Sequence, residues 1–183
     1  LRLRPGIHMD LSSLLHPLRA DPVLARVVAR AKATGPAAAE GVDLGAPQAL
    51  RPIVAAAIAA EPPVGAGRLV LAVTATDREA GDLAAALASL LPQDSIAEYP
   101  AWETLPHERL SPRADTVGRR LAVRRRLRHP EDGEQLRVVV TPVRSLLQPQ
   151  VAGLGDLEPV ALKPKDSFEL DDVVERLVSA GYS

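Results

Sequence analysis

Phosphate chemistry is the first possibility to test. A nucleotide-binding loop needs glycine amides to wrap the phosphates, a lysine to neutralise them and a hydroxyl to hold magnesium, in the order G-x-x-x-x-G-K-[ST]. The nearest candidate is Gly45-Ala46-Pro47-Gln48, ahead of an Ala-rich stretch. It lacks the lysine, and Pro47 and Pro52 remove amide donors where a phosphate would seek them. Gly65-Ala66-Gly67 precedes an apolar run instead of joining a strand to a helix, so it reads as a turn. His107-Glu108 begins like a zinc-protease helix, yet Ser111 stands where the second histidine is required. The acid pairs Asp171-Asp172 and Glu131-Asp132 fall on an expected solvent face and in a loop. No G-x-S-x-G elbow activates a serine, and with no cysteine there is no thiol nucleophile, zinc ribbon or iron–sulfur cluster. The expectation is a chain with no catalytic residue, no metal and no bound cofactor.

Two other segments stand out. Residues 113–128 carry seven arginines against Asp115 alone, whereas from residue 131 onward ten acids face five bases. Arg119, Arg120, Arg124, Arg125 and Arg126 are therefore candidates for a nucleic-acid or acidic-partner contact. The plainer reading is a solvated helix face. Lysine occurs only at Lys32, Lys163 and Lys165, so a compositional preference for arginine accounts for much of the block. The second segment is Tyr99-Pro100-Ala101-Trp102-Glu103-Thr104-Leu105-Pro106, which holds the only tryptophan of a chain with 2% aromatics. It follows an expected strand, where α/β proteins place their ligands. Trp102, Glu103, Leu105 and Pro106 are read as a structural signature, with Trp102 an anchor that packs the loop onto the body.

The elements that must position these segments alternate. Residues 21–35 carry full helix punctuation: Asp21 as cap, Pro22 in the first turn, and Leu24, Val27, Val28 and Ala31 on one face. An Ala-rich helix is expected over 47–61, with Pro52 in its first turns. Residues 69–73 form an apolar run bounded by breakers and read as a buried strand. Thr76 and Glu79 then make a capping box that opens a helix running to Pro92. Further strands are expected at 95–99 and 136–141, an Arg-rich helix at 114–128, a short helix at 142–147 and an amphipathic helix at about 168–180. Strands alternating with helices give an α/β, three-layer, mainly parallel sheet covered on both sides.

At 183 residues, 46% hydrophobic and 25% charged, the chain suits a globular protein of one domain and a little more. Scarce aromatics argue against a base-stacking single-strand binder. No apolar run is long enough for a membrane span and no signal peptide opens the chain, so a cytoplasmic protein is expected. Met9 is the only methionine, so residues 1–9 read as an upstream-translated or appended leader. The final Ala180-Gly181-Tyr182-Ser183 reads as a helix end from which the chain continues.

Y-P-A-W-E-T-L-P-H-E-R-L-S-P from Tyr99, the D-x-x-x-x-R-L stretch from Asp115 to Leu121, R-V-V-V-T-P-V-R-S-L-L-Q-P from Arg137, and the L-V-S-A-G-Y ending are together similar to the N-terminal module of the bacterial transcription-repair coupling factors, the Mfd family. That module resembles in turn the excision-repair subunit UvrB. The resemblance implies a degenerate helicase-type (P-loop NTPase-like) domain over 10–158 that has lost its phosphate loop. It also implies that residues 159–183 begin a small α+β domain which binds the repair subunit UvrA mostly beyond this chain. In the complete family the partners also include RNA polymerase and DNA, which the resemblance assigns to polymerase-binding and ATP-driven motor domains outside the matched module. The chain itself is then a non-catalytic scaffold. The other readings are a UvrB-type helicase subunit, or an independent DNA-binding domain built on the arginine helix.

Overall fold

A computed structural model describes residues 10–18, 20–35, 41–104, 111–150, 152–156, 160, 162 and 167–179. The expected leader at 1–9, Leu105 and Pro106 of the signature, His107-Glu108 and the ending at 180–183 lie outside the described residues. Three short helices come first: α1 (Leu15–Leu18), α2 (Pro22–Lys32) and α3 (Arg51–Ala59). The Asp21 carboxylate caps α2 by accepting from the amides of Val23 and Leu24 at 2.9 and 2.8 Å. Pro52 sits in the first turn of α3, where its missing N–H costs nothing.

The body continues with β1 (Val70–Thr74), α4 (Asp77–Leu87), β2 (Ile96–Glu98), α5 (Ala114–Arg128), β3 (Val138–Pro142), α6 (Val143–Leu147) and α7 (Leu170–Ser179). The strands pair in parallel in the order β1-β3-β2, with Val138 opposite both Val70 and Ile96. The chain crosses from β1 to β2 by way of α4, then returns by α5 to fill the central place with β3. Reversing direction with the same right-handed crossover puts the two helices on opposite faces. The core divides accordingly. Val138 and Val140 of β3 join Ala55, Ala56, Ala80, Ala84 and Leu87 on the α3/α4 side, whereas Val139 joins Tyr99, Val123 and Leu136 on the α5 side. Among the described residues this is an α/β fold on a small parallel sheet.

Two expectations are corrected. The strand expected to be buried on both faces is an edge strand: Leu71 and Val73 are 56% and 48% exposed, because α5 spans only the β2 and β3 part of its face. The helix expected to reach Pro92 ends at Leu87, and residues 88–91 tighten into turns with Leu90 bonding back to Leu87. Leu90 and Leu91 nonetheless stay in the core.

One turn is fixed by close approach. A Cβ on Gly65 would lie 2.4 Å from the carbonyl oxygens of Ala57 and Ala60, so only glycine lets this loop close against the end of α3.

Candidate functional site

Parallel sheets offer ligands the carboxyl ends of their strands, above all where strand order reverses. Here that means the end of β1 and the joint end of β2 and β3.

At the end of β1 the chain closes its own helix terminus. The Thr76 hydroxyl accepts from the Glu79 amide at 3.2 Å, and the Glu79 carboxylate accepts from the Ala75 amide at 3.0 Å. Asp77 adds a second acid to the first turn of α4. The helix-dipole end that would attract a phosphate is thus already neutralised by carboxylates, which would repel one. Gln48, Arg51 and Pro52 face this end across a shallow depression of about 200 Å³ that Glu79 and Asp82 also line. Gly45, Ala46, Pro47 and Gln48 are all exposed, and Gln48 opens the 3-10 turn before α3. No strand leads into this loop among the described residues.

The other end is organised around Arg120. Thr116, Arg120 and Val123 are the buried positions of α5, spaced to share one face of the helix. Arg120 is only 1% exposed, and its guanidinium lies between the rings of Tyr99 and Trp102, 4.2 Å from each centroid. Its Nη1 donates to the Pro100 carbonyl and, at 2.8 Å, to the Ser145 hydroxyl. Its Nε and Nη2 are buried and meet no partner. Burial lowers its affinity for its proton, and the neighbouring charge of Arg124 adds to that. A buried cation without a counter-charge costs several kcal/mol, against about 1–2 kcal/mol for each aromatic stack. The two rings and the two Nη1 hydrogen bonds offset that cost.

Two glutamines hold the cluster together. Gln148 bonds both backbone groups of Trp102, accepting from its amide at 2.7 Å and donating to its carbonyl at 3.1 Å. Gln150 accepts from the Tyr99 hydroxyl and from Arg124 Nη1, and donates to the Ser145 carbonyl. Thr141 at the end of β3 donates to the Tyr99 carbonyl at 2.8 Å, locking the two strand ends. Glu103 accepts from Thr116, which lowers its pKa.

The structure thus brings Trp102, Glu103 and Arg120 together and separates Arg120 from the other arginines. Arg119 pairs with Glu98 at 2.9 Å, Arg125 with Asp132 at 2.7 Å, and Arg128, outside the original set, with Asp156 at 2.7 Å. Arg124 reaches Gln150, and Arg126 donates to the carbonyls of Asp94 and Glu134. Sequence reasoning missed Ser145, Gln148 and Gln150, although R-S-L-L-Q-P-Q directly follows a strand end. Among the described residues no group of acids and histidines could hold a metal, and no helix is long and apolar enough to cross a membrane.

No protein-family model matches the chain. It is similar to the transcription-repair-coupling factors of Mycobacterium bovis and Mycobacterium tuberculosis, each 52% identical over 141 residues, 75% of this chain and 11% of the relative. The transcription-repair-coupling factor of Haemophilus influenzae is 31% identical over 114 residues, 62% of this chain and 10% of the relative. The chain therefore spans about a tenth of the curated relatives it matches. With half the positions identical across three quarters of its length, the chain belongs to the transcription-repair-coupling factor family.

Proposed function

We propose that the chain is the N-terminal interaction module of a coupling factor: a degenerate helicase-like body over residues 10–158 that performs no chemistry and needs no cofactor, acting in the cytoplasm. From residue 159 it opens a second unit through which the family engages UvrA, while DNA and RNA polymerase are engaged by other parts of the protein. The observation that carries the reading is the end of β1, where Thr76, Glu79 and Asp77 occupy the helix terminus and Glu79 and Asp82, with no lysine, line the depression shared with Gln48 and Arg51. A nucleotide-driven ancestor stripped of its phosphate site would look like this.

The last helix supports the division. In α7, Leu170, Val174 and Val178 are exposed and Val173 and Leu177 half-buried, a stripe that waits for a partner surface. An isolated helix of this length is marginal in water, so it does not make a recognition surface by itself.

Titration calorimetry with magnesium-ATP tests the reading. No binding is expected, and micromolar binding would favour a UvrB-type nucleotide-using subunit instead. UvrA capture tests the division: residues 1–183 should retain little, and a chain extended through the second unit should retain it. Saturable UvrA binding by residues 1–183, lost on deleting α7, would move the contact into this chain.

A further inference from the structure

The guanidinium of Arg120 has two edges in different states. Its Nη1 edge is committed to Pro100 and Ser145, and its Nε/Nη2 edge is buried and unpaired. Those two nitrogens form a side-on fork whose parallel N–H bonds match the two oxygens of one carboxylate. The rings of Tyr99 and Trp102 each lie 4.2 Å from the guanidinium carbon and close around it. We propose that the Nε/Nη2 edge of Arg120 is a carboxylate-binding site, opened when Trp102 parts from Gln148, and that its occupant is an acidic side chain of a protein partner.

The surroundings favour a protein over a nucleic acid. A phosphate backbone is tracked by a run of available cations, but Arg119, Arg125, Arg126 and Arg128 are engaged by Glu98, Asp132, backbone carbonyls and Asp156. What lies exposed beside the cluster is mostly apolar: Val143, Leu146 and Leu147 of α6 flank the buried Ser145, with the single cation Arg144 among them. An acidic residue set among apolar neighbours on a partner fits that combination. Control falls to Trp102 because Tyr99 is buried, while Trp102 is half-buried and tied down by the two Gln148 bonds. The inference rests on the geometry at Arg120 and is independent of the scaffold role and of UvrA.

The test uses the 15N-labelled chain, following the side-chain Nε–H resonance of Arg120, assigned through its backbone, during titration with sodium acetate at ionic strength held constant with sodium chloride. A saturable shift confined to Arg120 is expected. In Gln148→Ala the open form is more populated, so half-saturation should fall on the order of 10-fold. A blocked glutamate peptide that shifts the resonance, with its glutamine counterpart silent, assigns the site to protein carboxylates; a response to acetate alone assigns it to a free carboxylate ion. The proposal is overturned if Arg120 responds to chloride as much as to acetate, if methyl phosphate outcompetes acetate, or if neither form responds. The wild-type arm decides even if Gln148→Ala fails to fold.

Discussion

The two strand-end regions of this small sheet handle charge in opposite ways. At β1 a positive helix terminus is met by two acids and a hydroxyl from the same turn, and its polar groups are spoken for within four residues. At β2 and β3 a full positive charge is drawn into the protein by α5, stacked between two rings and left with an unpaired edge. The first arrangement stabilises locally and excludes anions. The second leaves part of a buried charge unsatisfied and invites one. Within a single fold, the strand end where a phosphate cradle is sought and not found is closed, and the strand end whose loop is read as a tryptophan anchor keeps a binding group in reserve.

Removing parts of the second region should have the larger effects. Arg120→Ala removes both ring contacts and leaves a void, so a loss of about 3–4 kcal/mol is expected in urea unfolding; a loss under about 1 kcal/mol would mean the rings collapse onto each other without it. Trp102→Ala removes one face of the stack but keeps the backbone bonds to Gln148. Because the indole is half-buried, the expected loss is about 2–3 kcal/mol, below that of a fully buried tryptophan. A loss as large as that of a core aromatic would show the loop unravelling with it.

The β1 region should respond less. Thr76→Ala removes one side of the capping box and should cost about 1 kcal/mol by thermal unfolding, leaving the indole fluorescence of Trp102 unchanged. A change in that fluorescence would join two regions that the account keeps apart.

The smallest effect is set by acid. The Thr116 hydrogen bond lowers the Glu103 pKa, and the Arg128 hydrogen bond lowers that of Asp156. A carboxylate depressed in the folded state stabilises above its ordinary value near pH ~4 and loses that contribution as pH falls through the lower folded value. Both groups are exposed or nearly so, and screening keeps the effect small. Melting temperature should therefore dip slightly below about pH 4, and Asp156→Asn should flatten part of the dip; an unaltered profile would mean the Arg128 pair is broken in solution.

The difference between the regions also explains which of them sequence reasoning could reach. The Thr76–Glu79 box, the Asp21 cap and the bounds of α5 follow from residues within one or two turns of each other, and short-range chemistry of that kind is written in spacing. Burial of Arg120 is not, because its partners Tyr99, Pro100, Trp102 and Ser145 are far away in the chain, and two of the three buried positions of α5 are polar. Hydropathy cannot single out a face made of Thr116 and Arg120. The exposed Leu71 and Val73 were misread for a related reason: an apolar run announces a strand but not which neighbours cover it. A tryptophan followed by a polar helix in an aromatic-poor chain was the available signal, and it identified the loop but not its cation.

The central claim is that the Arg120 charge is not required by the fold. Arg120→Met keeps a long side chain between the two rings, where its sulfur packs well. The Pro100 carbonyl stays satisfied, because Ser145 already donates to it at 3.0 Å. Replacing a buried charge by an apolar group of similar reach is often neutral or stabilising. Urea unfolding of Arg120→Met should accordingly give a stability within about 1 kcal/mol of the parent, or above it. A loss as large as that of Arg120→Ala would show that the guanidinium is fully used by the fold, leaving no edge for a partner's carboxylate.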